Sequence, residues 1–165
     1  LDRPVSGVVV FARTSKALER LNSMFREGGR IKKTYWAIVK NRPTESEAEL
    51  VHYLVRNEKQ NKSYAYTAER SGAKRSVLSY RLLGSMDNYH LLEVALQTGR
   101  HHQIRVQMAH AGMALLGDRK YNVEEQTALP LGLCSCELDF CHPKTKKTMK
   151  FQVSPKGETF AGFKL

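Results

Sequence analysis

Cysteine is scarce in this chain of 165 residues: there are three, Cys134, Cys136 and Cys141, crowded into eight positions. An odd cluster of this kind makes no disulfide framework and points to a reducing, cytoplasmic setting. Proline is sparse too, and no linker-like tract, low-complexity stretch or internal repeat divides the chain, so a single domain over residues 1–165 is expected. No apolar run approaches the ~20 residues of a membrane-spanning helix. The longest, Val8-Val9-Val10-Phe11-Ala12, has the length of a strand. The chain lacks a leading Met and a signal peptide, which leads to the expectation of a fragment whose N-terminal part is missing. A P-loop, a dinucleotide fingerprint and a nucleophile elbow are also absent, which excludes the commonest nucleotide-cofactor and hydrolase readings. Acidic residues are in short supply: 27 Lys and Arg face 16 Asp and Glu, a formal net charge of +11. With 41% hydrophobic residues the chain is no disordered polycation, and its charge favours a polyanionic partner, most commonly nucleic acid. A basic surface kept only for solubility is the plain alternative.

Patterning assigns the elements. The β-branched run from Gly7 to Arg13 reads as a buried strand. Ala17, Leu18, Leu21, Met24 and Phe25 recur at helical spacing, predicting a helix over Ser15–Glu27 that Gly28-Gly29 ends. Lys33–Lys40 alternates as a strand does, whereas Glu47–Arg56 is ambiguous. Ser76–Leu83 and Tyr89–Leu96, joined by Gly84–Asn88, predict a hairpin. Ile104, Met108 and Ala111 predict a helix over His102–Ala111 with Gly112 as its cap. Leu133–Phe140 and Thr148–Val153 complete the strands. Most neighbours are joined by hairpins rather than helical crossovers, so the fold expected is α+β, a mainly antiparallel mixed sheet flanked by helices.

Three segments could carry chemistry. Asp2, in Leu1-Asp2-Arg3-Pro4, places a carboxylate just outside a strand, where it is either held rigidly or frayed as a terminal turn residue. In Lys33-Thr34-Tyr35, the cation and the aromatic share one strand face, as needed to hold a phosphate while a base stacks; a core tyrosine beside a solvated lysine is the alternative. Gly99-Arg100-His101-His102-Gln103-Ile104-Arg105 marks a strand-to-helix turn whose N–H groups and guanidinium groups suit an anion. Adjacent histidines without a nearby carboxylate or thiol are weak ligands, and the one-residue gap of Cys134-x-Cys136 is tight for zinc, so no metal is expected.

Taken in order, these segments resemble the RluA family of RNA pseudouridine synthases. Leu1 to Ala12 is similar to that family's catalytic motif, Lys33 to Val39 to its Lys-x-Tyr motif, and Gly99 to Arg105 with Leu116-Gly117-Asp118 and Tyr121 to its third. Leu133 to Pro143 resembles its closing strand. Two variants stand out: Gln107 where His is commoner, and Cys134 where His is frequent. An Arg before Leu1 and upstream strands are usual in the family.

The resemblance implies a cofactor-free isomerase with the pseudouridine synthase catalytic fold, converting uridines of rRNA or tRNA. Asp2 is the implied essential carboxylate, attacking the ribose C1′ or removing the C2′ proton. Tyr35 would stack on the uracil and assist removal of the C5 proton. Arg105 would pair with Asp2, and Leu115 or Leu116 would pack on the other side of the base. Lys33, Arg100, His102 and Gln103 are expected to bind or support the substrate, and Arg26, Arg30, Lys32 and Lys33 to contact phosphates around Tyr35. RNA is the expected partner, with no membrane, no nucleotide cofactor and a monomeric state. A non-catalytic RNA-binding or ribosome-assembly protein on the same fold is the main rival, and a small basic structural protein a second.

Overall fold

Side chains alternate across the strand Ile31–Val39 and sort the molecule into two faces. Ile31, Tyr35, Ala37 and Val39 join clusters on one side, Trp36 and Ile38 a cluster on the other. The structure, a computed structural model, describes residues 1–26 and 31–163. The expected helix stop at Gly28-Gly29 and the basic Arg30 lie outside the described residues.

Among the described residues the strands are β1 (Ser6–Gly7), β2 (Ile31–Val39), β3 (Glu47–Asn57), β4 (Lys62–Tyr66), β5 (Lys74–Met86), β6 (Tyr89–Leu96), β7 (Leu133–Cys141) and β8 (Thr148–Gln152). The helices are α1 (Ser15–Arg26) and α2 (Gln103–His110), with a 3-10 turn at Glu158–Phe160. The strands form one sheet in the order β1-β7-β2-β6-β5-β3-β4, with β8 also on β7. The β1–β7 pair is parallel and the others are antiparallel. This is the expected mixed α+β architecture.

The two helices pack on the Tyr35 face. From α2, Ile104 and Met108 meet Ala37, Leu78, Leu92 and Val94, while from α1, Leu21 and Met24 meet Ile31, Leu138 and Phe140. The opposite face of β2 and β7 is covered by the C-terminal segment, where Phe160 packs with Ile38, Leu91 and Cys134. No helix among the described residues is long and apolar enough to cross a membrane.

Three differences from the expected elements have local causes. The strand expected over Gly7–Arg13 is confined to Ser6–Gly7, which pair with Cys134 and Ser135. Further along that edge of β7, Glu137–Cys141 are already paired with β8, so the run has no strand edge to join. It continues as a strap whose Val8, Val10 and Ala12 pack on the α1 cluster, while Phe11 is 84% exposed. The ambiguous Glu47–Arg56 is strand β3, fixed by β5 on one side and by the unanticipated β4 on the other. The expected hairpin is present with a tighter turn, Asp87-Asn88, and a bulge between Leu82 and Gly84 takes up the extra residue.

Candidate active site

Asp2 belongs to no regular element, yet its backbone is held. Its carbonyl accepts the Val5 N–H at 2.9 Å, and five residues on, Gly7 lies flat against β7 with φ of 120°. A Cβ on Gly7 would sit 2.2 Å from the Ser135 carbonyl oxygen, so glycine is required for the close approach that parks the segment. Its side chain enters a cavity of about 370 Å³ lined also by Lys33, Tyr35, His102, Ile104 and Arg105. That size falls in the range of small-molecule sites, roughly 300–1,000 Å³.

Arg105, in the first turn of α2, is 6% exposed and joins two carboxylates. Its Nε donates to Asp118 Oδ2 at 2.9 Å and its Nη2 to Asp118 Oδ1 at 2.7 Å, a two-pronged fork, while Nη1 donates to Asp2 Oδ2 at 3.4 Å. Burial alone would lower the Arg105 pKa, but the hydrogen bonds and charge of Asp118 and then Asp2 raise it above its ordinary value. Asp118 is itself seated by the N–H groups of Lys120 and Tyr121 at 3.1 and 3.2 Å.

Burial pushes the Tyr35 phenol above its ordinary value, a hydrogen bond with Ser135 opposes this and the charge of Asp2 adds to it, so the hydroxyl stays protonated. Burial lowers the Lys33 ammonium from its ordinary value; its Nζ lies 5.9 Å from the Phe25 ring centre. His102 takes a left-handed backbone, φ 54°, at the start of α2 and is 8% exposed. Burial pulls it down to about 4, with the Asp2 charge opposing and His101, Arg105 and Lys120 reinforcing, so the ring is neutral near pH 7. Gln103 faces inward and ties the turn together: its Oε1 accepts from Thr98 Oγ1 and the Arg100 N–H, and its Nε2 donates to the Val77 carbonyl. Arg100 stands exposed at the cavity mouth.

Asp2, Lys33, Tyr35, Arg100, His102, Gln103 and Arg105 therefore meet at one cavity. Leu115 and Leu116 do not reach it. An isolated bridge to Val39 sends Leu115 into the core beneath α2, and the next residue, Leu116, into the core of the opposite face, where each is at most 2% exposed. The cavity's apolar wall comes instead from Val5, Leu96, Ile104 and Leu133. Lys32 is displaced as well: strand alternation turns it away from Lys33, and it pairs with Glu137 at 3.3 Å. Arg26 ends α1 in solvent. The three cysteines do not gather: Cys134 and Cys136 are buried and Cys141 is exposed, and among the described residues no cluster of metal-ligating side chains occurs. The patterning assigned no role to Asp118 or Tyr121, although both stand in the third motif, and Ser63 had no signal at all.

A family model described as RNA pseudouridylate synthase matches residues 1–110, which contain Asp2, Tyr35 and Arg105. The chain belongs to the RNA pseudouridylate synthase family. Within that family, the chain is 34% identical to tRNA pseudouridine synthase C of Vibrio vulnificus, over 89% of this chain and 66% of that protein. It is 31% identical to ribosomal large subunit pseudouridine synthase D of Zymomonas mobilis, over 93% of this chain and 50% of that protein. The chain thus spans between half and two thirds of the length of these two relatives. Its fold matches human RNA pseudouridylate synthase domain containing 1 with a TM-score of 0.73, at 21% identity over 87% of this chain and 62% of that one. The pseudouridylate synthase fold and the RluA-type motifs thus agree, and from those motifs Asp2, Lys33, Tyr35, His102 and Arg105 line the cavity.

Proposed function

We propose that the protein isomerises uridine to pseudouridine in RNA, in the cytoplasm, with Asp2 as the essential carboxylate and without a cofactor. The observation that carries this reading is the seat of Asp2. Its side chain is 23% exposed at a cavity, tethered through Arg105 to the wholly buried Asp118. A carboxylate held this way is aimed before substrate arrives, so little ordering remains for the transition state.

The reaction breaks the N1–C1′ bond, turns the uracil and forms a C5–C1′ bond, with the C5 proton lost and N1 regaining one. Asp2 starts the sequence by attacking C1′ or by taking the C2′ proton. Tyr35, protonated and lining the cavity, serves as a stacking surface; a resting phenolate base does not suit its raised value. Lys33 and Arg100 supply positive charge for the flanking phosphates, and the target nucleotide leaves its stack to bring its glycosidic bond to Asp2. The names of the relatives divide between tRNA and large-subunit rRNA, and both are offered as substrate classes.

The test is tritium release from RNA labelled at uridine C5, with rRNA and tRNA supplied separately and Asp2→Asn assayed beside the parent protein. Release that vanishes in the variant while RNA affinity persists is expected. RNA binding with no release from the parent protein on either pool would replace this reading with the non-catalytic one.

A further inference from the structure

The contacts of Asp2 fall on one oxygen. Arg105 Nη1 lies 3.4 Å and His102 Nε2 3.5 Å from Oδ2, which leaves Oδ1 as the oxygen with no hydrogen bond among the described residues. What holds His102 in that attitude comes from the far side of the ring. Its Nδ1 is 2.8 Å from the Tyr121 hydroxyl, and that hydroxyl accepts the backbone N–H of Ser63, in edge strand β4, at 2.8 Å.

We propose that Tyr121, anchored by the Ser63 backbone, is a positioning residue that fixes the His102 tautomer and thereby selects Oδ1 of Asp2 as the reacting oxygen. The inference rests on the reading of Asp2 as the essential carboxylate.

The Asp2 end of the chain of contacts demands one proton arrangement, and the Tyr121 end accommodates it. Ser63 N–H can only donate, so the Tyr121 oxygen accepts from it and has its own proton to give; His102 Nδ1, at 2.8 Å, and the Ser63 hydroxyl are the groups that face it. With Nδ1 accepting, the neutral ring carries its proton on Nε2, facing a carboxylate oxygen that can only accept. The opposite tautomer would set the Nε2 lone pair against Oδ2 and turn the tyrosine proton away from His102, to the Ser63 hydroxyl. A second observation agrees: His102 is a non-glycine residue in the left-handed region, a strained conformation that its surroundings must impose. The groups facing the ring are Asp2, Arg105, His101, Lys120 and Tyr121. His101 stacks on it at 3.7 Å between ring centres, and the Arg105 guanidinium lies 5.3 Å from the centre of the Tyr121 ring. Tyr121 therefore steadies both partners of Oδ2 at once. Two cationic or N–H groups, at 3.4 and 3.5 Å, face Oδ2, and Oδ1 keeps its lone pairs for the ribose.

The experiment has two arms. Long-range proton–nitrogen NMR correlation on the nitrogen-15-labelled parent protein at neutral pH reads the His102 tautomer directly and needs no activity. The proton on Nε2 is expected; a proton on Nδ1 overturns the proposal. Tyr121→Phe keeps the ring and removes the hydroxyl. It is expected to lower kcat about tenfold, the usual worth of one hydrogen bond, with KM for RNA unchanged and the His102 tautomer no longer fixed. Unchanged kcat, or a raised KM at constant kcat, overturns it by making Tyr121 structural or an RNA contact. If the parent protein forms no pseudouridine, the functional reading fails while the tautomer of parent and variant still decides the relay. If Tyr121→Phe does not fold, the parent tautomer alone decides it.

Discussion

Replacing Asp118 with asparagine removes one charge from the centre of the site while preserving its volume. Asp118 has a wholly buried side chain and takes two bonds from Arg105 as well as the N–H groups of Lys120 and Tyr121. In Asp118→Asn, an amide oxygen at the Oδ1 position can still serve the two backbone donors and Arg105 Nη2, but the amide nitrogen in place of Oδ2 faces Arg105 Nε–H, donor against donor, and the compensating charge is gone. Stripping one partner from a buried pair destabilises by roughly 3–5 kcal/mol, and because Asp2 remains beside Arg105 the low end, about 3 kcal/mol, is expected. For a domain of this size that lowers Tm by about 6–12 °C. Asp2→Asn touches the same guanidinium through one long, partly exposed contact and should shift stability by no more than about 1 kcal/mol while abolishing turnover. Urea unfolding of the two variants and the parent, with the tritium-release assay alongside, measures both effects. Equal destabilisation by the two substitutions, or a change below about 0.5 kcal/mol for Asp118→Asn, would refute the division into a buried anchor and a working carboxylate.

Three further outcomes are expected. The folded His102 value of about 4 lies below the ordinary 6.5, so unfolded chains bind more protons in that window; its share of stability is complete above pH 6.5 and is lost as pH falls towards 4. The urea midpoint of the parent should therefore fall more steeply between pH 6.5 and 5 than that of His102→Asn, and parallel profiles would contradict it. Brief alkylation of the native protein followed by mass spectrometry should label Cys141 alone, since Cys134 is buried and burial pushes the Cys136 thiol up to about 12; equal labelling of either buried thiol would be incompatible with the fold. Gly7→Ala, which drives a Cβ into the Ser135 carbonyl, should cost more than about 1 kcal/mol in urea unfolding and lower kcat by displacing Asp2, and a neutral result would mean the segment is not held against β7.

Where local chemistry decides, the sequence was readable. The helix over Ser15–Arg26 follows from the recurrence of Leu21 and Met24, and the β5–β6 hairpin from its polar turn. The convergence of Asp2, Tyr35 and Arg105 was legible only through motif resemblance, because no local rule places residues so far apart in sequence at one cavity. Elements whose existence depends on a neighbour were hidden. Strand β4, Lys62–Tyr66, is short and polar and exists by pairing with β3. The Val8–Ala12 run has every property of a buried strand except an edge to join. Leu115 and Leu116 sit beside the third motif, and only the bridge to Val39 reveals that they face opposite cores. Ser63 acts through its backbone N–H, a group every residue but proline carries, so its side chain could announce nothing.

The pairing of Ser6 and Gly7 with Cys134 and Ser135 has a consequence for how the protein comes into being. Chains emerge from the ribosome N-terminus first, and the segment that carries Asp2 appears before β2 through α2. Its docking strand, β7, is among the last, and closing so long a loop before the intervening hairpins have folded is entropically unfavourable. A nascent chain can thus build β2 through α2, and even set Arg105 in place, while the carboxylate still wanders in solution. The carboxylate is seated late and abruptly, when β7 pairs with β2 and offers Cys134 and Ser135 to Ser6 and Gly7.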